Sequence, residues 1–112
     1  MDKAIKYQQI LCEVLQEYGE IEKNLTPDVK RQVIIDNERK HYQLLSVGWQ
    51  NKRFVYNVAF HFDIIGDKVW LLQNSTDVLI ADELIERGVL KSDIVLGFIP
   101  ENVRSYEGFA VA

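Results

Sequence analysis

The sequence has one cysteine, two prolines and no long apolar run. Because Cys12 has no partner, the chain cannot form an internal disulfide or a CxxC zinc or redox site, which favours a reducing compartment. Charged residues appear early in residues 1–6 and no uninterrupted apolar stretch follows, so we expect neither a signal peptide nor a membrane span. These absences predict a soluble, cytoplasmic protein.

Positive charge is also scarce, because 17 acidic side chains outnumber 13 basic ones and the formal net charge is −4. Proteins that neutralise DNA phosphates unaided are usually basic, so direct DNA binding by this chain alone is not expected. The sequence contains no glycine-rich phosphate loop, no GxSxG motif and no HExxH motif. We therefore expect no bound cofactor, no catalytic residues and a protein that is not an enzyme.

The composition is that of an ordinary globular protein, with 47% apolar and 27% charged residues in a chain of 112. A chain of this length can bury a core without disulfides or metals. We expect a single domain that spans residues 1–112.

An amphipathic helix is predicted over residues 2–18, ending near Gly19 and followed by a loop over residues 20–28. Its apolar side chains recur at three- and four-residue steps and form one stripe: Tyr7, Ile10, Leu11, Val14, Leu15 and Tyr18. This stripe is expected to pack against a sheet.

Four strands are predicted at about residues 30–36, 41–48, 53–65 and 68–74, each rich in β-branched and aromatic residues. Because the connections between them are short, the strands are expected to form an antiparallel meander. Alternation places Phe54, Tyr56, Val58, Phe60, Phe62 and Ile64 of the third strand on one continuous core face. The other face would carry Arg53, Val55, Asn57, Ala59, His61 and Asp63.

A two-residue turn at Gly66 and Asp67 is predicted to join the third and fourth strands, with glycine first as in type II′ turns. This turn would pair Ile64 with Val69, Phe62 with Leu71, Asp63 with Trp70 and His61 with Leu72. The second face of the sheet would then be partly apolar and would need a cover, either the C-terminal segment or a second copy in a homodimer.

A second helix is predicted to begin with Thr76 as its N-cap, to run to about Arg87 and to end at Gly88. Its buried stripe would contain Ile80, Ala81, Leu84 and Ile85. After it come an apolar run over residues 94–98, a helical turn opened by Pro100 and an apolar tail. The predicted fold is α+β: a four-stranded antiparallel meander with a long N-terminal helix, a second helix after the fourth strand and an irregular C-terminal segment.

Several stretches carry a resemblance to a known family: DNERKHYQLLSVGW at residues 36–49, GDKVWLLQN at 66–74, GVLKSDIVLGF at 88–98 and GFAVA at 108–112. In combination they resemble the XisI family, the cyanobacterial fdxN element excision controlling factors. The resemblance covers roughly four fifths of the chain.

This resemblance implies a non-catalytic accessory or controlling factor in programmed excision of a DNA element, which is a site-specific recombination. It also implies a companion, an XisH-like protein with a restriction-endonuclease type of fold. The chain has neither the length nor the motifs of a serine or tyrosine recombinase, so another protein would carry out strand exchange.

His61 and Asp63 form the best chemical pair, because residues two apart on a strand project from the same face. An imidazole and a carboxylate so placed can share a proton or hold a metal, which leaves a small metal-dependent or acid/base enzyme as the alternative function. The other interpretation is two ordinary polar residues on the less buried face. A zinc centre would need further ligands, and His41 is expected near the other end of its strand.

Other candidates suit contacts with a partner. Arg39 lies in a charged turn with Asp36 and Glu38, which is either solvated or a partner contact. A basic group of Lys30, Arg31, Lys52 and Arg53 is expected at one end of the meander, where phosphate could bind. The interface candidates are Arg39, Asn57, His61, Asp63 and Trp70.

Overall fold

The computed structural model describes residues 2–21, 28–105 and 108–112. In chain order the elements are α1 (Lys3–Gly19), β1 (Val29–Asp36), β2 (His41–Gln50), β3 (Arg53–Ile65), β4 (Lys68–Asn74), α2 (Ile80–Glu86), a 3-10 turn (Lys91–Asp93), β5 (Ile94–Leu96) and α3 (Glu101–Arg104). The α+β class is confirmed. Most of the predicted loop at residues 20–28 lies outside the described residues.

The N-terminal helix forms as predicted. Asp2 is its N-cap, and its carboxylate accepts a hydrogen bond from the backbone N–H of Ala4 at 2.9 Å. The helix buries one stripe: Ala4, Tyr7, Ile10, Leu11, Val14 and Leu15. No helix in the described part of the chain is both long and apolar enough to cross a membrane.

The sheet has five strands in the order β1-β2-β3-β4-β5. The first four are antiparallel neighbours, as predicted, but β5 pairs with β4 in parallel through Val69 and Ile94. The prediction of a wholly antiparallel, four-stranded sheet with an irregular C-terminal segment was therefore wrong. Parallel pairing requires a crossover, and α2 lies within the connection between β4 and β5.

The core lies between the sheet and α1, on the side that we call the helix face. Strand residues buried there include Tyr42, Leu44, Phe60, Phe62, Ile64, Val69, Leu71, Ile94 and Leu96. The contact is close, because a Cβ added at Gly19 would lie 2.6 Å from a methyl group of Val33 on β1. Residues Ile80 and Leu84 of α2 belong to the same core.

A β-bulge at Ala59 divides β3 into two parts. Leu44 pairs with Phe60, but the next residue, Leu45, pairs with Val58, so Ala59 is an extra residue on β3. One extra residue reverses the direction of every side chain beyond it. The predicted continuous apolar face was therefore wrong: Phe60, Phe62 and Ile64 face α1, whereas Phe54, Tyr56 and Val58 lie on the opposite side.

The hairpin between β3 and β4 follows the prediction near its turn. Gly66 has a φ of 62°, and Ile64, Asp63 and Phe62 pair with the expected residues of β4. A second irregularity then shifts the register, so His61 pairs with Gln73 and not with Leu72.

The start of α2 differs from the prediction. Thr76 is not its N-cap, because the helix begins at Ile80 after Leu79. The Thr76 hydroxyl instead donates to the Asn74 side-chain oxygen at 2.7 Å and accepts from the backbone N–H of Val78 at 3.1 Å. These bonds stabilise a non-helical turn, so α2 begins about one helical turn later than predicted.

The C-terminal segment protects the β5 side of the sheet. Val95 is fully buried and forms a bridge with Ala110, whose N–H donates to the carbonyl of Ile94 at 2.8 Å. The Arg104 guanidinium lies 5.1 Å from the centre of the Trp70 ring and donates to the carbonyl of Val111 at 2.9 Å. Covering an edge in this way limits pairing with other chains.

Candidate functional site

The side of β1, β2 and β3 that faces away from α1 is the candidate site, and we call it the open face. Residues that pair directly across neighbouring strands project from the same side of a sheet, so the register assigns its members. They are Lys30, Gln32, Ile34, Asp36, His41, Gln43, Leu45, Val47, Trp49, Phe54, Tyr56, Val58, His61 and Asp63. Two different clusters lie at the two ends of this face.

The first cluster is apolar and exposed. Trp49, Phe54 and Tyr56, with Val47, form what we call the aromatic end of the open face. The exposed fractions are 55% for Trp49, 50% for Phe54 and 66% for Tyr56. Trp49 and Phe54 pack edge to face, with ring centres 5.2 Å apart. Exposed aromatic groups that cluster in this way are typical of protein interfaces.

Acidic residues are absent from the sequence between Glu38 and Asp63, although the chain has 17 of them. This interval contains almost all of β2 and β3, and its charged residues are Arg39, Lys40, Lys52 and Arg53. Lys52 and Arg53 lie at the hairpin tip beside the aromatic end. The hairpin is thus cationic in a chain that is acidic as a whole.

The second cluster joins two imidazoles to one carboxylate. His41 Nδ1 lies 2.8 Å from Asp63 Oδ1, and His61 Nε2 lies 3.0 Å from the same oxygen. The two imidazole rings are nearly perpendicular, with centres 6.4 Å apart. We call His41, His61 and Asp63 the histidine cluster.

Gln43 completes this network from β2. Its side-chain nitrogen lies 3.1 Å from His61 Nδ1. One proton assignment satisfies all three contacts: Gln43 donates to Nδ1 of His61, while Nε2–H of His61 and Nδ1–H of His41 donate to Asp63. The carboxylate is 18% exposed and His41 is 51% exposed, so the cluster is open to solvent.

The bulge at Ala59 brings the histidine cluster together. At the hairpin tip Gln50 pairs with Arg53, and this register continued without interruption would set His41 opposite Phe62. The extra residue moves the pairing by one, so His41 lies opposite Asp63. Sequence reasoning placed His41 near the other end of its strand and did not group it with His61 and Asp63, beside which the register sets it.

The other predicted interface residues do not form one surface. Asn57 pairs with Ser46 on the helix-face side of β2, and its amide donates to the Ser75 hydroxyl at 3.1 Å. Trp70 pairs with Asp63 and so projects from the same side of the sheet, where Arg104 partly covers it. Of the five candidates, His61, Asp63 and Trp70 therefore lie on this side, whereas Asn57 lies on the other.

Arg39 contacts Asp36 within the turn between β1 and β2. Asp36 Oδ1 accepts hydrogen bonds from the backbone N–H groups of Glu38 and Arg39, at 3.0 and 2.8 Å. The hydrogen bond from the backbone of Arg39, with that from Glu38 and the Arg39 charge, holds the pKa of the Asp36 carboxyl below its usual value, against the opposing effect of burial. The Arg39 guanidinium is mostly exposed and lies 3.6 Å from Asp36.

The basic group is brought to one end of the sheet but is divided between its faces. Lys30 pairs with Val47 on the open face, whereas Arg31 pairs with Ser46 and Arg53 pairs with Gln50 on the other side. Lys52 lies in the hairpin turn. These cations therefore do not form a single phosphate-binding patch.

Two parts of the site escaped sequence reasoning. The aromatic end was assigned to the core because apolar residues occupy every second position of β3 from Phe54 to Ile64, and His41 was not grouped with His61 and Asp63. The signal available was the apolar triplet of Val58, Ala59 and Phe60, where strict alternation of apolar and polar residues fails.

Comparisons with known proteins agree on one family. The family model described as "XisI protein" matches residues 1–111. The chain is similar to the crystal structure of a XisI-like protein from Anabaena variabilis ATCC 29413, with 41% identity, a TM-score of 0.90 and coverage of 97% of this chain and 99% of that one. A search of curated proteins gave no match.

A second crystal structure, of the fdxN element excision controlling factor XisI from the same organism, is 32% identical, with a TM-score of 0.83. It covers 99% of this chain and 100% of the other. The family model and both structures extend over nearly the whole chain. The chain belongs to the XisI family.

Proposed function

We propose that this chain is a non-catalytic accessory factor that controls excision of a DNA element, and that it acts by binding an XisH-like protein. Family membership supports excision control, because one of the similar structures is an fdxN element excision controlling factor. The aromatic end of the open face supports action through a partner. That surface is the single observation on which the binding mode rests.

The composition of the aromatic end favours a protein as its occupant. Trp49, Phe54 and Tyr56 are half or more exposed, and no described element covers them. Lys30 lies on the same face and Lys52 in the adjoining hairpin turn, so the complementary surface is an apolar pocket bordered by acidic groups. Aromatic anchors within a charged rim are typical of interface hot spots.

Nucleic acid fits this surface less well. Three cations divided between two faces neutralise few phosphates, and the whole chain carries a net charge of −4. The rings of Trp49 and Phe54 also pack against each other, which leaves less free ring surface for base stacking. We therefore assign the aromatic end to the XisH-like protein.

Co-expression tests this proposal. The chain and an XisH-like protein from the same genome are produced together, and a tag on the XisH-like protein is used to isolate the complex. We expect stoichiometric recovery of the wild-type chain and at least a tenfold loss of affinity when Trp49 and Phe54 are both replaced by serine. Phe98→Ser is the matched control, since Phe98 is 55% exposed and lies outside the open face.

Each outcome distinguishes one part of the proposal. No recovery of the wild-type chain excludes the XisH-like protein as the partner. Equal recovery of the double variant and the Phe98→Ser control excludes the aromatic end as the surface. Light scattering on the isolated chain tests the predicted homodimer: a 26 kDa species (about twice the 13.0 kDa chain) that the double variant abolishes would give this surface to a second copy.

A further inference from the structure

We propose that His41, His61 and Asp63 form a binding site for a divalent transition-metal ion, with zinc as the preferred ion. This inference concerns the other end of the open face and does not depend on the identity of the protein partner. The three ligand atoms all lie within 4.8 Å of one another. Two imidazole nitrogens and one carboxylate oxygen are a common donor set for zinc.

The spacing fits a bound ion after small side-chain movements. With zinc–ligand bonds of about 2.0–2.1 Å, ligand atoms in a tetrahedral site lie about 3.3 Å apart. The two histidine–carboxylate distances are 2.8 and 3.0 Å, so each needs to open by only a few tenths of an ångström. The two imidazole nitrogens lie within 4.8 Å of each other and need to close by about 1.5 Å at most.

The backbone holds the three ligands in place. His41 pairs directly with Asp63 across β2 and β3, and His61 lies two residues before Asp63 on the same strand face. All three side chains therefore project from regular, paired strands on the same side. A site built on paired strands needs little ordering of the chain when the ion binds, which favours affinity.

Gln43 provides the supporting contact that metal-bound histidines usually have. When His61 Nε2 binds an ion, its proton must move to Nδ1, which then needs an acceptor. Rotation of the Gln43 amide by a half-turn presents its oxygen to Nδ1 at the position where its nitrogen now lies, 3.1 Å away. The same residue thus supports both the metal-free and the metal-bound forms.

The types of donor atom also determine which metal ion the site prefers. Magnesium and calcium prefer oxygen ligands, and this site offers a single carboxylate with two imidazoles. Zinc, cobalt and nickel accept imidazole nitrogen readily. Because the chain supplies three ligands, a tetrahedral ion retains one position toward solvent, on the face that we assign to partner binding.

Isothermal titration of the untagged protein with zinc chloride tests the site. The chain contains only two histidines, so binding through imidazole must involve His41 or His61. We expect one ion per chain, loss of affinity by about 100-fold or more for His61→Ala and Asp63→Asn, and by about tenfold for Gln43→Leu. Magnesium should produce no binding heat.

Cys12→Ser is the matched control, because Cys12 is the only thiol and lies on α1, on the opposite side of the sheet. It should bind zinc like the wild type. Equal zinc affinity in the wild type and His61→Ala, or loss of binding in Cys12→Ser alone, would overturn the proposal.

Nitrogen NMR of the imidazoles gives a second measurement that does not depend on the stability of any variant. Zinc should shift the resonances of Nδ1 of His41 and Nε2 of His61, the two atoms that face Asp63. If the nitrogen resonances of both imidazoles stayed unchanged at saturating zinc, the site would be excluded even if the ion bound elsewhere.

Discussion

The phenolic oxygen of Tyr7 lies 2.5 Å from a carboxylate oxygen of Asp93, and this buried contact joins α1 to the turn before β5. The Lys3 ammonium donates to the same carboxylate oxygen at 3.1 Å. Burial, and then the hydrogen bond to Asp93, raise the pKa of Tyr7 to about 12. The two ends of the chain are therefore held together by a charged hydrogen-bond network.

Replacing Tyr7 by phenylalanine tests the strength of this contact. The variant leaves the ring in place but removes one donor from a buried carboxylate, so we expect the free energy of unfolding to fall by about 1–3 kcal/mol. Urea denaturation at neutral pH measures the change. Tyr56→Phe is the matched control, and its 66% exposed side chain should change stability by less than about 0.5 kcal/mol. Equal effects would show that the Tyr7 hydroxyl contributes little.

The same network makes stability depend on pH. Burial raises the pKa of the Asp93 carboxyl, but the hydrogen bonds from Tyr7 and Lys3, with nearby positive charge, outweigh it, so the net pKa is below its usual value. A carboxyl with a lowered folded-state pKa stabilises the fold above its unfolded-state pKa of about 3.9, and this contribution is lost as the pH falls through the folded-state value.

Asp93→Asn should remove that pH dependence. We expect the variant to be less stable than the wild type at pH 6 and the difference to become smaller below about pH 4, where the wild-type carboxyl begins to take up a proton. Denaturation curves at several pH values measure this. A stability difference that stays constant from pH 6 to pH 2 would contradict the assignment.

The bulge at Ala59 predicts unequal effects for two phenylalanines on one strand. Phe62→Ala removes a fully buried ring and should cost about 3–5 kcal/mol, whereas Phe54→Ala removes a half-exposed ring and should cost about 1 kcal/mol or less. Chemical denaturation compares them. Similar costs would mean that both rings face the core, as the uninterrupted alternation predicts.

Replacing Gly48 and Gly66 by alanine should destabilise the fold to different extents. A Cβ at Gly48 would lie 1.9 Å from the carbonyl oxygen of Asp28, so Gly48→Ala must displace β1 and should cost about 3 kcal/mol or more. At Gly66 no atom lies within 4 Å, and only its φ of 62° opposes alanine, at about 1–2 kcal/mol. Thermal unfolding of both variants tests the order, and a less stable Gly66→Ala would contradict it.

The regular elements were largely predictable because their signals are local. The bounds of β3 and β4 follow from runs of β-branched and aromatic residues that end at turn residues, and both agree with the structure. The stripe of α1 likewise identifies its buried side. Both ends needed adjustment by one residue, because Asp2 caps the helix and does not belong to it, while Gly19 is its last residue and Glu20 its C-cap.

The features that the sequence did not predict depend on pairing between residues that are distant in the chain. A strand of three residues, Ile94–Leu96, has no periodicity to distinguish it from a buried loop, and its parallel partner lies beyond α2. Two of the three members of the histidine cluster, His61 and Asp63, were recognised because they lie two residues apart in the sequence. His41 joins them only through the register of β2 and β3, which a single bulge residue sets.

Ala59 therefore makes the two halves of β3 serve different purposes. If Ala59 were paired in a regular ladder, with the sequence unchanged, either Phe54 and Tyr56 or Phe60 and Phe62 would have to exchange sides of the sheet. The same change would set His41 against Phe62. The position of the bulge is thus more informative than the identity of the apolar residues of the strand, because an unchanged set of side chains can present two different surfaces.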